Sequence, residues 1–84
     1  MAGPVSDTKL NILKFIVEWL EKNRASPTLE EIAVVVGLSS RSSVQYHIDN
    51  LIGEGHLSRP PRRHRMIVPT QQGIDVINKM KETE

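Results

Sequence analysis

Cysteine is absent from the 84-residue chain, which excludes a disulfide framework and a thiolate zinc site, so packing alone must hold the fold together. The same absence fits a reducing, intracellular setting, and a cytoplasmic location is expected. No apolar run approaches the roughly 18 to 20 residues of a membrane span, and the opening Met1-Ala2-Gly3-Pro4 has neither the basic nor the apolar region of a signal peptide. No membrane partner is expected. Gly-rich phosphate loops, Gly-x-Ser-x-Gly elbows and paired-carboxylate motifs are all missing, and serines without a base do not make a nucleophile. The chain is not expected to be an enzyme or to hold a cofactor. His56 and His64 have the spacing of loop residues and not the close pairing of a helical metal site, so no metal is expected. A domain of this length buries only roughly 60 to 65% of its unfolded surface and has no room for a deep substrate cavity.

Acid is also missing locally. The net charge of +1 is nearly silent, yet no Asp or Glu lies between Glu54 and Asp75, while Arg59, Arg62, Arg63 and Arg65 fall there with His56 and His64. Local charge decides whether a phosphate backbone is attracted, so this segment is the first candidate for contact with nucleic acid.

Residues 1 to 6, small or polar with one proline, read as a disordered leader. From about Asp7 to Asn23, Leu10, Leu13, Ile16, Val17 and Leu20 recur at helical spacing, widened by Ile12, Phe15 and Trp19. So broad a stripe implies contact on two sides, with Trp19 in the core or an interface. Pro27 pushes Ser26 toward extended geometry, which predicts a short loop or edge strand. Thr28-Leu29-Glu30-Glu31 then spells a capping box. The helix it starts would bury Ile32, Ala33, Val35 and Val36 and end at Gly37, a residue free to take positive φ.

A three-residue break, Gly37-Leu38-Ser39, precedes a second start signal with Ser39 or Ser40 as cap. The next helix runs to about Gly53 with Val44, Ile48, Leu51 and Ile52 inward, leaving Arg41, Ser42, Ser43, Gln45 and Tyr46 exposed near its start. Leu57 to Arg59 and Met66 to Val68 are short strand candidates around Pro60-Pro61-Arg62-Arg63-His64-Arg65, a hairpin with a basic tip. Thr70-Gln71-Gln72-Gly73 can cap a last helix, with Ile74, Ile77 and Met80 on one side and Val76 widening it.

The expected fold is therefore mainly α with a small β-sheet: a winged helix-turn-helix of three helices, a β-hairpin wing and a C-terminal helix. Residues 7 to 69 would form the DNA-binding domain and residues 70 to 84 the last helix, a possible contact between two copies. A major groove about 12 Å wide admits one helix, whose first turns touch base edges. Short serines there permit close approach, Gln45 can offer an amide pair to adenine, and Arg41 can reach a guanine edge or a phosphate. The expected DNA-binding set is Thr28, Ser39, Ser40, Arg41, Ser42, Ser43, Gln45 and Tyr46, with Arg59, Arg62, Arg63, His64 and Arg65 on the wing. His47, one residue before the core position Ile48, is expected to pack against the wing.

The segments Pro27-Thr28-Leu29-Glu30-Glu31-Ile32-Ala33 and Gly37-Leu38-Ser39-Ser40-Arg41-Ser42-Ser43-Val44 resemble the DNA-binding domain of LexA-type repressors. The similarity continues through His47-Ile48-Asp49-Asn50-Leu51, Glu54-Gly55-His56-Leu57 and the wing from Arg59 to Ile67. It implies a winged helix that binds an operator in double-stranded DNA as a homodimer on inverted half-sites and blocks transcription. Base-contacting positions implied by the resemblance are Ser40, Ser42, Ser43, Gln45 and Tyr46. Full repressors of this type also carry a C-terminal serine-lysine self-cleavage domain, to which nothing in these 84 residues corresponds.

Two other functions fit the pattern. A winged helix can serve as a protein-interaction module, here through the broad first helix with Trp19 and the last helix. Shape-selective binding to unusual duplexes has only Pro60-Pro61 in its favour, since Asp49 stands where an aromatic would be wanted.

Overall fold

Why the first helix sits at the centre follows from its stripe. The structure, a computed structural model, describes residues 7–60 and 66–82. Helix α1 (Asp7–Lys22) buries Ile12, Leu13, Ile16 and Val17, and packs against α2 (Leu29–Val36), α3 (Arg41–Gly53), the second strand and α4 (Gln71–Glu82). A stripe this broad needs cover on both sides, and it receives the helix pair together with the C-terminal helix. Trp19 is half-buried, its ring 5.6 Å from that of Phe15 and its indole N–H donated to the Ala25 carbonyl at 2.8 Å. It thereby ties the loop after α1 back onto the helix.

The capping box of α2 forms in both directions: the Glu31 amide donates to Thr28 Oγ1 at 3.1 Å, and the Thr28 amide donates to Glu31 Oε1 at 2.8 Å. Gly37 closes the helix at φ 78°, where a side chain would be strained, and Leu38 donates back to the Ala33 carbonyl. One expectation fails here. Val35 is 59% exposed and Val34 82% exposed, while Ile32 and Ala33 are buried and Val36 packs on the core. Each helical residue turns about 100°, so the arc set by Ile32, Ala33 and Val36 excludes Val35.

Ser40, not Ser39, caps α3, accepting from the Ser43 amide at 3.2 Å. Val44, Ile48 and Leu51 carry that helix into the core. Gly53 remains helical, and the left-handed residue at the exit is Gly55, φ 86°. At this exit Lys9 Nζ donates to Glu54 Oε2 at 2.6 Å, joining the start of α1 to the end of α3. The Lys9 hydrogen bond and charge hold the Glu54 carboxyl below its usual value of 4.5; burial opposes this, and the His56 ring 3.6 Å away adds to the lowering.

Strands β1 (Leu57–Ser58) and β2 (Val68–Pro69) pair antiparallel, Leu57 opposite Pro69 and Ser58 opposite Val68. The sheet is shorter than the sequence implied, and β2 begins two residues later. Pro60 follows Arg59 and has no amide hydrogen, so the ladder cannot run on through it. On the other side of the wing chain, the Ser26 hydroxyl accepts from the Ile67 amide at 2.6 Å and donates to the Ile67 carbonyl at 2.8 Å. A side chain here does what the backbone of a third strand would do.

The last helix is bolted to the α3 exit. Thr70 Oγ1 accepts from the Gly73 amide at 3.1 Å and donates to the Gly55 carbonyl at 2.6 Å, and the Thr70 amide bonds His56 O. Gly73 is buried directly against the His56 carbonyl, with no space for a Cβ. Ile77 is fully buried, and Val76 and Met80 pack on the core beside it. Ile74 is half-buried.

Candidate nucleic-acid interface

Two helix starts lie side by side on the surface. The capped first turn of α2 carries Glu30, and the capped first turn of α3 carries Arg41, whose guanidinium lies 3.7 Å from the Glu30 carboxylate. Both side chains are well exposed, so this ion pair is worth little in stability. It marks where the Thr28 cap and the Ser39 to Ser43 run share one region of surface.

Within that region the hydroxyls divide by use. Thr28 Oγ1 is an acceptor in its capping bond, which leaves its hydrogen to donate elsewhere. Ser40 is engaged as the α3 cap and also meets the Ser43 hydroxyl at 3.1 Å. Ser39 and Ser42 are exposed, and Ser43 is half-buried. Further along the helix Tyr46 is 66% exposed, its ring edge-on to His47 at 5.6 Å. Gln45 donates from Nε2 to Asp49 Oδ1 at 2.8 Å.

Thus Ser42, Gln45, Tyr46 and Asp49 form one outward stripe at spacings of three and four residues, opposite Val44, Ile48 and Leu51. The stripe combines donors and acceptors with one large exposed ring, that of Tyr46. Asp49 was missing from the expected set. Its signal was present in the sequence as the fourth residue after Gln45, a spacing at which Gln and Asp meet on a helix.

Arg59 is exposed just beyond β1. Arg62, Arg63, His64 and Arg65, expected at the wing tip, lie outside the described residues. The roots of the wing are described, and Ser26, Leu57 and Ile67 fix them: Leu57 and Ile67 are buried, and Ser26 clamps the second root. Nothing local in the sequence pairs Ser26 with a residue 41 positions away.

Among the described residues, no helix is long and apolar enough to cross a membrane, and no group of three or more His, Asp and Glu is placed to hold a metal ion.

Comparison with known proteins identifies the family. The family described as the LexA DNA-binding domain matches residues 3–66. LexA repressor from Pediococcus pentosaceus is 35% identical over 77 residues, covering 92% of this chain and 37% of the relative. LexA repressor from Oenococcus oeni is 42% identical over 71 residues, covering 83% of this chain and 34% of its own. The chain therefore spans little more than a third of the curated relatives it matches. Among solved structures, transcriptional regulator Tm0710 from Thermotoga maritima superposes with a TM-score of 0.72 at 28% identity, over 93% of this chain and 53% of that one. RV1404 from Mycobacterium tuberculosis, at 22% identity and a TM-score of 0.73 over 94% and 52% of the two chains, shares the fold.

Proposed function

The chain belongs to the LexA DNA-binding domain family, and from that premise we propose that it reads operator sequences in double-stranded DNA as part of a transcriptional repressor. Helix α3 enters the major groove. Ser40, Arg41, Ser42, Ser43, Gln45 and Tyr46 meet base edges or the nearest phosphates, while Thr28 and Ser39 donate hydroxyl hydrogens to the backbone. Arg59, Arg62, Arg63, His64 and Arg65 place the wing on the backbone or in the adjacent minor groove. Phosphate contacts set position and affinity, and base contacts set sequence choice.

The observation that carries this proposal is the division of α3: Val44, Ile48 and Leu51 form its inner, apolar side, and its outer side carries hydrogen-bonding side chains, Arg41, Ser42, Gln45, Tyr46 and Asp49, from the first turn onward. An exposed helix face of this composition beside a second capped helix matches what a groove admits. Residues 7–69 form the DNA-binding unit, followed by residues 70–84 with helix α4. Two copies bind inverted half-sites, with α4 as the contact between them, and the protein works in the cytoplasm. No chemical step belongs to this part of the chain.

Selection from a randomised duplex pool tests the proposal, because a sequence reader enriches a defined motif and a pool left unenriched would sink it. The alternative, a protein-interaction module working through α1 with Trp19 and through the last helix, has less surface on its α1 side, where Ile12, Leu13, Ile16 and Val17 are in the core.

A further inference from the structure

We propose that Asp49 determines which base Gln45 reads, by locking the Gln45 carboxamide in one of its two orientations and selecting adenine over guanine. This rests on α3 lying in the major groove. Asp49 is exposed one helical turn beyond Gln45 on the outward stripe, and its carboxylate accepts from Gln45 Nε2 at 2.8 Å. A carboxylate only accepts hydrogen bonds, whereas a carboxamide has a donor end and an acceptor end. The pair can therefore form one way round only, with the amide nitrogen toward Asp49.

The consequence lies in what remains free. Of the two Nε2 hydrogens one is committed to Asp49, leaving a single N–H and Oε1 side by side. Adenine presents the complement in the major groove, N7 as acceptor and N6–H as donor. Guanine presents two acceptors, N7 and O6, which an unconstrained amide can approach with its nitrogen and both hydrogens. With one hydrogen held back, only one guanine acceptor can be satisfied and the other faces Oε1. The Asp49 charge adds a second effect, since a carboxylate in the groove face is repelled by the phosphates of any duplex. Asp49 thus lowers affinity for all sequences while sharpening the choice at one position.

The test is randomised-duplex selection followed by titration, with the 84-residue chain and its Gln45→Ala, Asp49→Ala and Asp49→Asn variants. The unaltered chain is expected to enrich adenine at one position, and Gln45→Ala to lose that preference there alone, by the roughly 5- to 150-fold that one bidentate pair supplies. Both Asp49 variants are expected to lose preference at that same position, with guanine the base that gains. They should bind non-cognate duplex at least as tightly as the unaltered chain and keep its melting midpoint. Asp49→Asn separates polarity from size, because an asparagine amide can bond Gln45 either way round. Adenine preference retained in Asp49→Asn or Asp49→Ala overturns the proposal. So does a change confined to a different position, which would make Asp49 itself a reader, for instance of cytosine N4. An unaltered chain that enriches no motif overturns the groove-binding premise instead, so the two failures are distinguishable.

Discussion

The single hydroxyl of Ser26 holds both backbone polar groups of Ile67, accepting from its amide at 2.6 Å and donating to its carbonyl at 2.8 Å. The loop that leads into α2 and the returning strand of the wing are thereby one piece. Replacing Ser26 by alanine strands a partly buried donor and acceptor, and should destabilise the fold by about 1–3 kcal/mol, the usual penalty for an orphaned group. Chemical denaturation of the Ser26→Ala variant checks this, and an unchanged midpoint would show that water replaces the hydroxyl.

Gly73 sits in a helix, where alanine is ordinarily favoured by about 1 kcal/mol. Here the sign should reverse. A Cβ at this position meets the carbonyl oxygen of His56, a backbone atom that also accepts from Thr70. Overpacking of this kind costs about 1–3 kcal/mol, so Gly73→Ala is expected to lower the thermal midpoint and loosen α4 from the α3 exit, visible as faster amide exchange in α4.

Ser40 and Ser42 make a matched pair for separating folding from recognition. Ser40 caps α3, and Ser40→Ala should cost about 1 kcal/mol of stability. Ser42 is exposed within the helix and caps no helix among the described residues, so Ser42→Ala should leave stability within about 0.5 kcal/mol. On duplex DNA the order is expected to invert, Ser42→Ala relaxing the selected motif at one position. Paired melting and selection experiments on the two variants decide it.

Those serines also show how much a sequence discloses. The capping box at Thr28, the αL residue at Gly37 and the stripe Val44, Ile48, Leu51 are local patterns, each written within a few consecutive residues, and all stand in the structure as the sequence implies. Val35 reads as core in the sequence because a run of five apolar residues, Ile32 to Val36, does not reveal its own phase on a two-turn helix. Ser26 with Ile67, Lys9 with Glu54 and Gly73 with His56 are pairings across 41, 45 and 17 positions, which only the folded chain brings together. In the candidate interface, residue types point to the helix face, but the sequence shows Asp49 only as a missing aromatic, whereas the structure bonds it to Gln45.

The Lys9–Glu54 pair predicts a pH dependence. Its effect depresses the folded-state pKa of Glu54, so it contributes stability that is complete above the ordinary glutamate value of 4.5 and disappears as pH falls through the lower folded value. The unaltered chain should lose more stability than Glu54→Gln between pH 7 and about pH 3. Parallel denaturation series on the two proteins measure the difference; equal losses would mean that Lys9 does not favour the charged carboxylate.

Binding to the selected duplex should depend steeply on salt. If about four phosphates are neutralised, log K falls against log salt with a slope of roughly −3.6. Charge reversal at Arg62, Arg63 and Arg65 should abolish binding while the melting midpoint stays in place. Titrations at several salt concentrations give the slope, and a value near zero would remove the wing from the interface.

Helix α3 keeps its two duties on separate sides. Val44, Ile48 and Leu51 are anchored in the core, and Ser42, Gln45, Tyr46 and Asp49 face outward. Under the proposed groove reading, a change of preferred operator is written in those four outward positions while the interior is left alone. Under that reading the vocabulary of the helix and its anchorage are spelled with different letters.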